Sequence, residues 1–186
     1  ENTAVGILAL AATNANFNTG IGAHALQNNA TGTSNTAVGI NALFQNTNGD
    51  SNTAIGSFSL RRNTTGSFNA ALGDFSLSEN TSGGFNTGIG AAALLSNTDG
   101  NDNIAVGSSA LRNNVSGSFN VAVGSLALGK NTAGSNTAIG NAAMDNNTTG
   151  NSNTAIGFQS LRVNTTGIQN TSVGALTNTT GTNFNN

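Results

Sequence analysis

Residues 153–169 read NTAIGFQSLRVNTTGIQ, and the next residue begins the same pattern again with NTSVG. The leading asparagine recurs along the whole 186-residue chain at a spacing of 17 residues, which shortens to 16 only after Asn2 and Asn120. A fixed period of this length is typical of a repeat architecture. We number every repeat from this asparagine as position 1. The repeats begin at Asn2, Asn18, Asn35, Asn52, Asn69, Asn86, Asn103, Asn120, Asn136, Asn153 and Asn170.

The repeat follows the consensus NTA[IV]Gxx[AS]LxxNTTGx[SF], in which position 5 is always glycine. A glycine after each β-branched residue, followed by the NTTG segment, leaves too few residues for a helix. The NTAIG segment predicts a short strand, the xxAL segment a second strand, and NTTGxS a turn. The sequence therefore predicts an all-β fold, a parallel β-solenoid of about eleven 17-residue coils. We expect residues 1–186 to form one repeat domain.

Two kinds of ladder are expected inside the coils. Positions 4 and 9 should stack as aliphatic ladders in a narrow core, and the asparagines at positions 1 and 12 should hydrogen-bond to their equivalents in adjacent coils. The predicted core ladder contains Val38, Ile55, Ile89, Val106, Ile139 and Ile156 at position 4, and Leu43, Leu60, Leu94, Leu111 and Leu161 at position 9. The predicted asparagine ladders contain Asn35, Asn52, Asn103 and Asn153 at position 1, and Asn46, Asn63, Asn114 and Asn164 at position 12.

The composition argues against several classes of function. Only 6% of residues are charged and the net charge is −2, so no basic patch favours a nucleic-acid partner. No run approaches the roughly 18 apolar residues that a membrane span needs. His24 is the only histidine, and paired carboxylates or an activated nucleophile are missing. We therefore expect no catalytic site, no metal site, no cofactor and no membrane span.

The strand segment carries no charge on either of its faces. Side chains alternate along a strand, so positions 2 and 4 share one face and positions 1, 3 and 5 share the other. A single thin coil cannot cover both faces, whereas symmetric self-association can. Charged residues fall instead at positions such as 10, 11 and 14 to 17, which are expected to face water.

The segments NTAVGINA (35–42), NTAIGSFS (52–59) and NTAIGFQS (153–160) resemble the NSVAIGxxS-like core of the head repeats in YadA-type trimeric autotransporter adhesins. The longer repeat is also similar to repeats of bacterial and phage tail-fibre-like proteins. This chain departs from the head repeat by a threonine in place of the first valine and by a longer period. The resemblance implies a left-handed β-roll, a homotrimer and a role in surface attachment outside the cell or on a virion. Because the chain starts in mid-pattern, we expect it to be a fragment of a longer fibrous protein.

The repeats also match each other at a longer period of three coils. Residues 42–73 align with residues 93–124, and residues 143–174 follow the same pattern. Duplication of a three-coil block explains this period without any ligand. Alternatively, the arginines that recur with it form a surface row for an acidic or glycan ligand, on a host surface or the extracellular matrix. This row contains Arg61, Arg112 and Arg162.

Three functions remain open from the sequence. The leading hypothesis is a structural and adhesive rod of an extracellular surface adhesin or of an attachment fibre. A second is an ice-binding solenoid that uses its threonine rows, beginning with Thr3, Thr19, Thr36 and Thr53. A third is an inert spacer stalk without a ligand.

Overall fold

The computed structural model describes residues 1–177, which form a parallel β-solenoid with one three-residue strand in each coil. Successive strands pair in parallel and in register, so equivalent positions of neighbouring coils lie directly opposite each other in one eleven-stranded sheet. No helix occurs among these residues. The predicted β-solenoid is therefore confirmed. The strands are β1 (Thr3–Val5), β2 (Thr19–Ile21), β3 (Thr36–Val38), β4 (Thr53–Ile55), β5 (Ala70–Leu72), β6 (Thr87–Ile89), β7 (Ile104–Val106), β8 (Val121–Val123), β9 (Thr137–Ile139), β10 (Thr154–Ile156) and β11 (Thr171–Val173).

The hydrophobic core is narrow and consists mainly of leucine and alanine. Leucine at position 9 fills the centre of the coil, and alanine at position 3 and alanine or serine at position 8 pack against it. These small residues leave room for the leucine and for the buried asparagines of the same coil. The position-9 side chains at Leu43, Leu60, Leu94, Leu111 and Leu161 are at most 1% exposed.

The structure corrects the expected core ladder at position 4. Because side chains alternate along the strand, burying position 3 turns position 4 outwards. Only alanine or another small residue fits at position 3, since the interior is already occupied by leucine and asparagine. The position-4 residues Ile55, Ile89, Ile139 and Ile156 are 38–42% exposed, and Val38 and Val106 are partly exposed.

The xxAL segment is a turn and not the second strand that the sequence predicted. In the coil that begins at Asn52, the backbone φ is 60° at Phe58 and 47° at Leu60. Left-handed residues at alternate positions cannot form an extended strand. The segment still bonds to its neighbours, because the Leu60 N–H donates to the Ser76 carbonyl at 3.0 Å and the Phe58 N–H donates to the Ile40 carbonyl at 2.9 Å. Coil-to-coil hydrogen bonding thus extends beyond the sheet.

The position-5 glycine is required both by its conformation and by the lack of space around it. Gly56 has a φ of 132°, in a region that L side chains rarely adopt, and a Cβ there would lie 2.6 Å from the carbonyl carbon of Gly73. The position-15 glycine of the NTTG segment is needed for space alone. A Cβ on Gly66 would overlap the carbonyl oxygen of Gly83 and the side chain of Asn63.

The asparagines at position 1 form one hydrogen-bonded column through the coils. Asn52 donates both its backbone N–H and its side-chain Nδ2–H to Oδ1 of Asn35, at 2.9 and 3.1 Å. Its Nδ2 also donates to the carbonyl of Gly66 in the same coil at 2.8 Å. Asn103 and Asn153 repeat this arrangement with the asparagine of the preceding coil. All these side chains are buried.

The asparagines at position 12 form a second column that is linked to the first. Asn63 donates its Nδ2–H to Oδ1 of Asn46 and to the carbonyl of Gly66, both at 2.8 Å. That carbonyl also accepts from Asn52, so one oxygen joins the two columns across the coil. The position-12 side chains of Asn114 and Asn164 also donate to the preceding asparagine of the column, at 2.9 Å.

The position-12 column is interrupted where a coil is one residue shorter. In the coil that begins at Asn120, Asn131 donates its Nδ2–H to the carbonyl of Ala133 at 2.7 Å. Oδ1 of Asn114, in the coil before it, is buried and accepts no hydrogen bond. Deleting one turn residue therefore leaves one buried carbonyl oxygen unsatisfied.

Candidate functional site

The outward face of the sheet carries no charged side chain. We call the side chains at positions 2 and 4 of β1–β11 the outer sheet face. Threonine fills position 2 in eight strands, and Ile, Val or Leu fills position 4 in all eleven. In-register pairing places each residue type in a row that repeats at the strand spacing of about 4.8 Å. The result is a regular, mixed threonine and aliphatic surface.

The threonines of this face are only partly buried. Those in β2 to β4, β6, β9 and β10 are half-buried, while the terminal Thr3 and Thr171 are exposed. The position-2 row is interrupted in the middle of the sheet by Ala70, Ile104 and Val121. The position-4 isoleucines of β2, β4, β6, β9 and β10 are 38–42% exposed, so the described residues leave this face partly open to solvent.

The predicted arginine row lies away from the outer sheet face. Position 10 is seven residues beyond position 3, close to halfway around a 17-residue coil. Arg112 and Arg162 are exposed and Arg61 is partly buried. The Arg61 guanidinium lies 5.7 Å from the ring centroid of Phe58, and an Arg162 Nη lies 3.5 Å from Oε1 of Gln159. The three arginines therefore share a register position but have different surroundings.

The ion pairing on this side is sparse. Within the described part of the chain, the only salt bridge joins Arg62 to Glu79 at 2.7 Å, and both side chains are solvent-exposed. Such a pair stabilises the fold by at most about 1 kcal/mol. The other cationic side chains among residues 1–177 lie more than 4 Å from any carboxylate.

Aromatic side chains form two short stacks on the surface. Phe58 stacks on Phe75 with ring centroids 5.0 Å apart, and Phe68 stacks on Phe85 at 4.9 Å. Residues at the same position of adjacent coils are brought into this contact by the sheet register. Phe68 and Phe85 stay more than half exposed, so they shield each other more than they cover the core.

The described residues contain neither a cluster of metal-ligating side chains nor a helix that could cross a membrane. Nδ1 of His24 lies 2.7 Å from Oε1 of Gln27, and its ring meets Phe44 edge-on.

The outward orientation of position 4 was not predicted, although it follows from the alternation of side chains along the strand. The signal was the restriction of position 3 to Ala, Gly or Ser, which indicates a closely packed interior position. The surface notch beside Gly129 was not predicted either, since a glycine at a variable position gives little signal in a single sequence.

Comparison of the chain with protein-family models, with curated proteins and with solved structures gives no match in any of the three.

Proposed function

We propose that the chain is a rod segment of an extracellular attachment fibre, in which three left-handed β-rolls pack their outer sheet faces around one axis. The observation that carries this proposal is the outer sheet face itself: it is uncharged, regular, and half-exposed along the whole stack. The number of chains, the hand of the coil and the location on a cell surface or virion follow the resemblance of the repeat to YadA-type heads.

Burial of this face would contribute favourable free energy to an assembly. An isoleucine that is 38–42% exposed gains roughly 1 kcal/mol when it is fully covered. Eleven position-4 residues would then contribute on the order of 10 kcal/mol per chain before the costs of association. The partly buried threonines add hydroxyls that can bond across the axis. An assembly of this kind leaves the charged positions 10 and 11 facing outwards.

The first test measures the mass of the protein in solution. Sedimentation equilibrium or light scattering should give about 55 kDa, three times the chain mass of 18.4 kDa. A mass of 18.4 kDa over the micromolar range would contradict the proposal.

Charges placed on the outer sheet face should dissociate the assembly. We expect the double variant Ile89→Asp/Ile139→Asp to sediment as a single chain with unchanged circular dichroism, because it would bring three carboxylates together at two levels of the axis. The control is Gln45→Asp/Asn113→Asp, which adds the same charge at exposed position 11. Retention of the trimer by the first variant, or its loss in the control, would argue against the proposed interface.

Attachment itself is tested by binding of the labelled rod to cells or to extracellular matrix. Repetition along the rod makes weak contacts additive through avidity, so binding should fall steeply when the rod is shortened. Binding no greater than that of a control protein of equal charge would favour the inert spacer.

Ice binding is the second candidate, and the half-exposed threonine rows favour it. It competes for the same surface, since a trimer would cover the threonines that ice must contact. A single chain that binds ice should show thermal hysteresis, and Thr36→Lys/Thr53→Lys should abolish that activity. A trimer without hysteresis would exclude this candidate, while hysteresis that survives the substitutions would place ice binding elsewhere.

A further inference from the structure

A notch of about 120 Å³ opens on the charged side of the stack. It exists because Gly129 occupies position 10, where the coils on either side have Arg112 and Asp145. With no side chain at that point, the surface is recessed between two charged residues. Lys130 and Leu126 also line the notch.

The cationic side chains of the notch form no salt bridge with the described residues. Neither Arg112 nor Lys130 has a carboxylate within 4 Å, because the only salt bridge among residues 1–177 is elsewhere. Both are exposed, and Lys130 Nζ donates a hydrogen bond to Oδ1 of Asn146 at 2.8 Å. Two cations in a recess form a site to which an anionic group binds by charge-assisted hydrogen bonds.

Two further residues of the notch, Leu126 and Asp145, suit a polyhydroxylated ligand better than a simple anion. Leu126 is 44% exposed and provides an apolar wall. The carboxylate of Asp145 is directed towards Gly129, and Oδ1 would lie 2.7 Å from a Cβ at that glycine. A carboxylate accepts hydrogen bonds from hydroxyls but repels an anion. An apolar wall, a hydrogen-bond acceptor and two cations together match a sugar that carries one acidic group.

We propose that this notch binds an acidic sugar residue of a glycan, such as a uronic or a sialic acid. Its carboxylate binds Arg112 and Lys130, its hydroxyls donate to Asp145, and its C–H face packs on Leu126. The notch is lined by residues of a single chain at positions 7, 10 and 11, none of which belongs to the outer sheet face. The biological role of sugar binding at this notch rests on the proposed attachment function, but the binding itself does not depend on the assembly.

Among the three arginines of the predicted row, the notch distinguishes Arg112. Arg61 lies close to the ring of Phe58, and Arg162 lies close to Gln159. Neither has a glycine at position 10 in the following coil that opens a recess beside it. The proposal therefore assigns the ligand to one arginine of the row and not to all three.

The test uses D-glucuronate as the probe and saturation-transfer NMR on the full 186-residue chain. We expect saturable binding with a dissociation constant in the millimolar range, typical of one sugar in a shallow site, and weaker binding as salt is raised. Arg112→Gln should weaken binding at least tenfold. Gly129→Leu should abolish it by filling the notch. The matched control, Arg162→Gln, removes the same charge from position 10 outside the notch and should bind glucuronate like the wild type.

Several outcomes would overturn the proposal. One is absence of glucuronate binding up to about 50 mM. Equal binding of glucose would show that the acid is not recognised, and equal binding of acetate would show that the sugar is not. A loss in Arg162→Gln as large as that in Arg112→Gln would indicate nonspecific attraction. Measuring the mass of the protein in the same sample separates the two proposals. If a single chain bound glucuronate, the trimer proposal would be wrong and the notch proposal would stand.

Discussion

Replacing Gly107 by alanine is expected to destabilise the solenoid by about 3 kcal/mol or more. Gly107 has a φ of 132°, and an added Cβ would lie 2.6 Å from the carbonyl carbon of Gly124 and 2.8 Å from the amide nitrogen of Ser125. These are backbone atoms of the next coil, so the clash can be relieved only by moving the two coils apart. Urea unfolding measures the loss of stability. Hydrogen exchange should also speed up at the Gly124 amide, which donates to the Val106 carbonyl at 2.7 Å.

The control for this variant is Gly129→Ala in the following coil. Gly129 has no left-handed φ, and the only atom closer than 3 Å to an added Cβ is Oδ1 of Asp145, at the end of a flexible side chain. We expect the free energy of unfolding to change by no more than about 0.5 kcal/mol. If Gly107→Ala destabilised the protein as little as Gly129→Ala, the close packing of coils at position 5 would not require glycine.

The second large effect is expected from Asn97→Leu, which should cost about 2–4 kcal/mol of stability. Asn97 is fully buried and donates to Oδ1 of Asn80 at 2.8 Å and to the carbonyl of Gly100 at 3.0 Å. Its own Oδ1 accepts from Asn114 at 2.9 Å. Leucine has a similar volume but can form none of these bonds, so Oδ1 of Asn80 would lose its donor in a buried site. Urea unfolding provides the measurement.

Asn113→Leu is the matched substitution outside the column. Asn113 is exposed at position 11 and neighbours Asn114 in sequence, so the same chemical change occurs beside the column without touching it. We expect a change below about 0.5 kcal/mol. Equal destabilisation by Asn97→Leu and Asn113→Leu would mean that the buried hydrogen bonds contribute little, and that leucine and alanine packing alone holds the coils together.

These two predictions rest on features that the repeat pattern already contained. An asparagine that recurs every 16 or 17 residues must stack on itself once the coils stack, and a glycine that recurs likewise must meet its own equivalent. Leucine at position 9 could be assigned to the core for the same reason, since a large apolar residue recurs there in almost every repeat. Period and residue type together were sufficient for these positions.

Position 4 could not be assigned in the same way. It is as regular and as apolar as position 9, so regularity alone placed Ile55 and Ile156 in the core. Their outward orientation depends on which neighbours compete for the interior, and the asparagine columns take the space that a second aliphatic ladder would need. The arginines show a similar limit. They share one position in the repeat, yet the notch described above borders Arg112, because its recess depends on the glycine at position 10 of the next coil.

The sequence by itself determined the parallel solenoid, its period, its leucine core and its asparagine columns, because identical residues at a fixed interval stack in only one register. The tertiary structure alone decided which aliphatic row faces outwards and which charged residues surround a recess. Both depend on how much volume the interior of one coil holds. That volume is shared among residues that are far apart in the repeat. These residues meet only in the folded coil, so the repeat pattern does not show how the volume is divided.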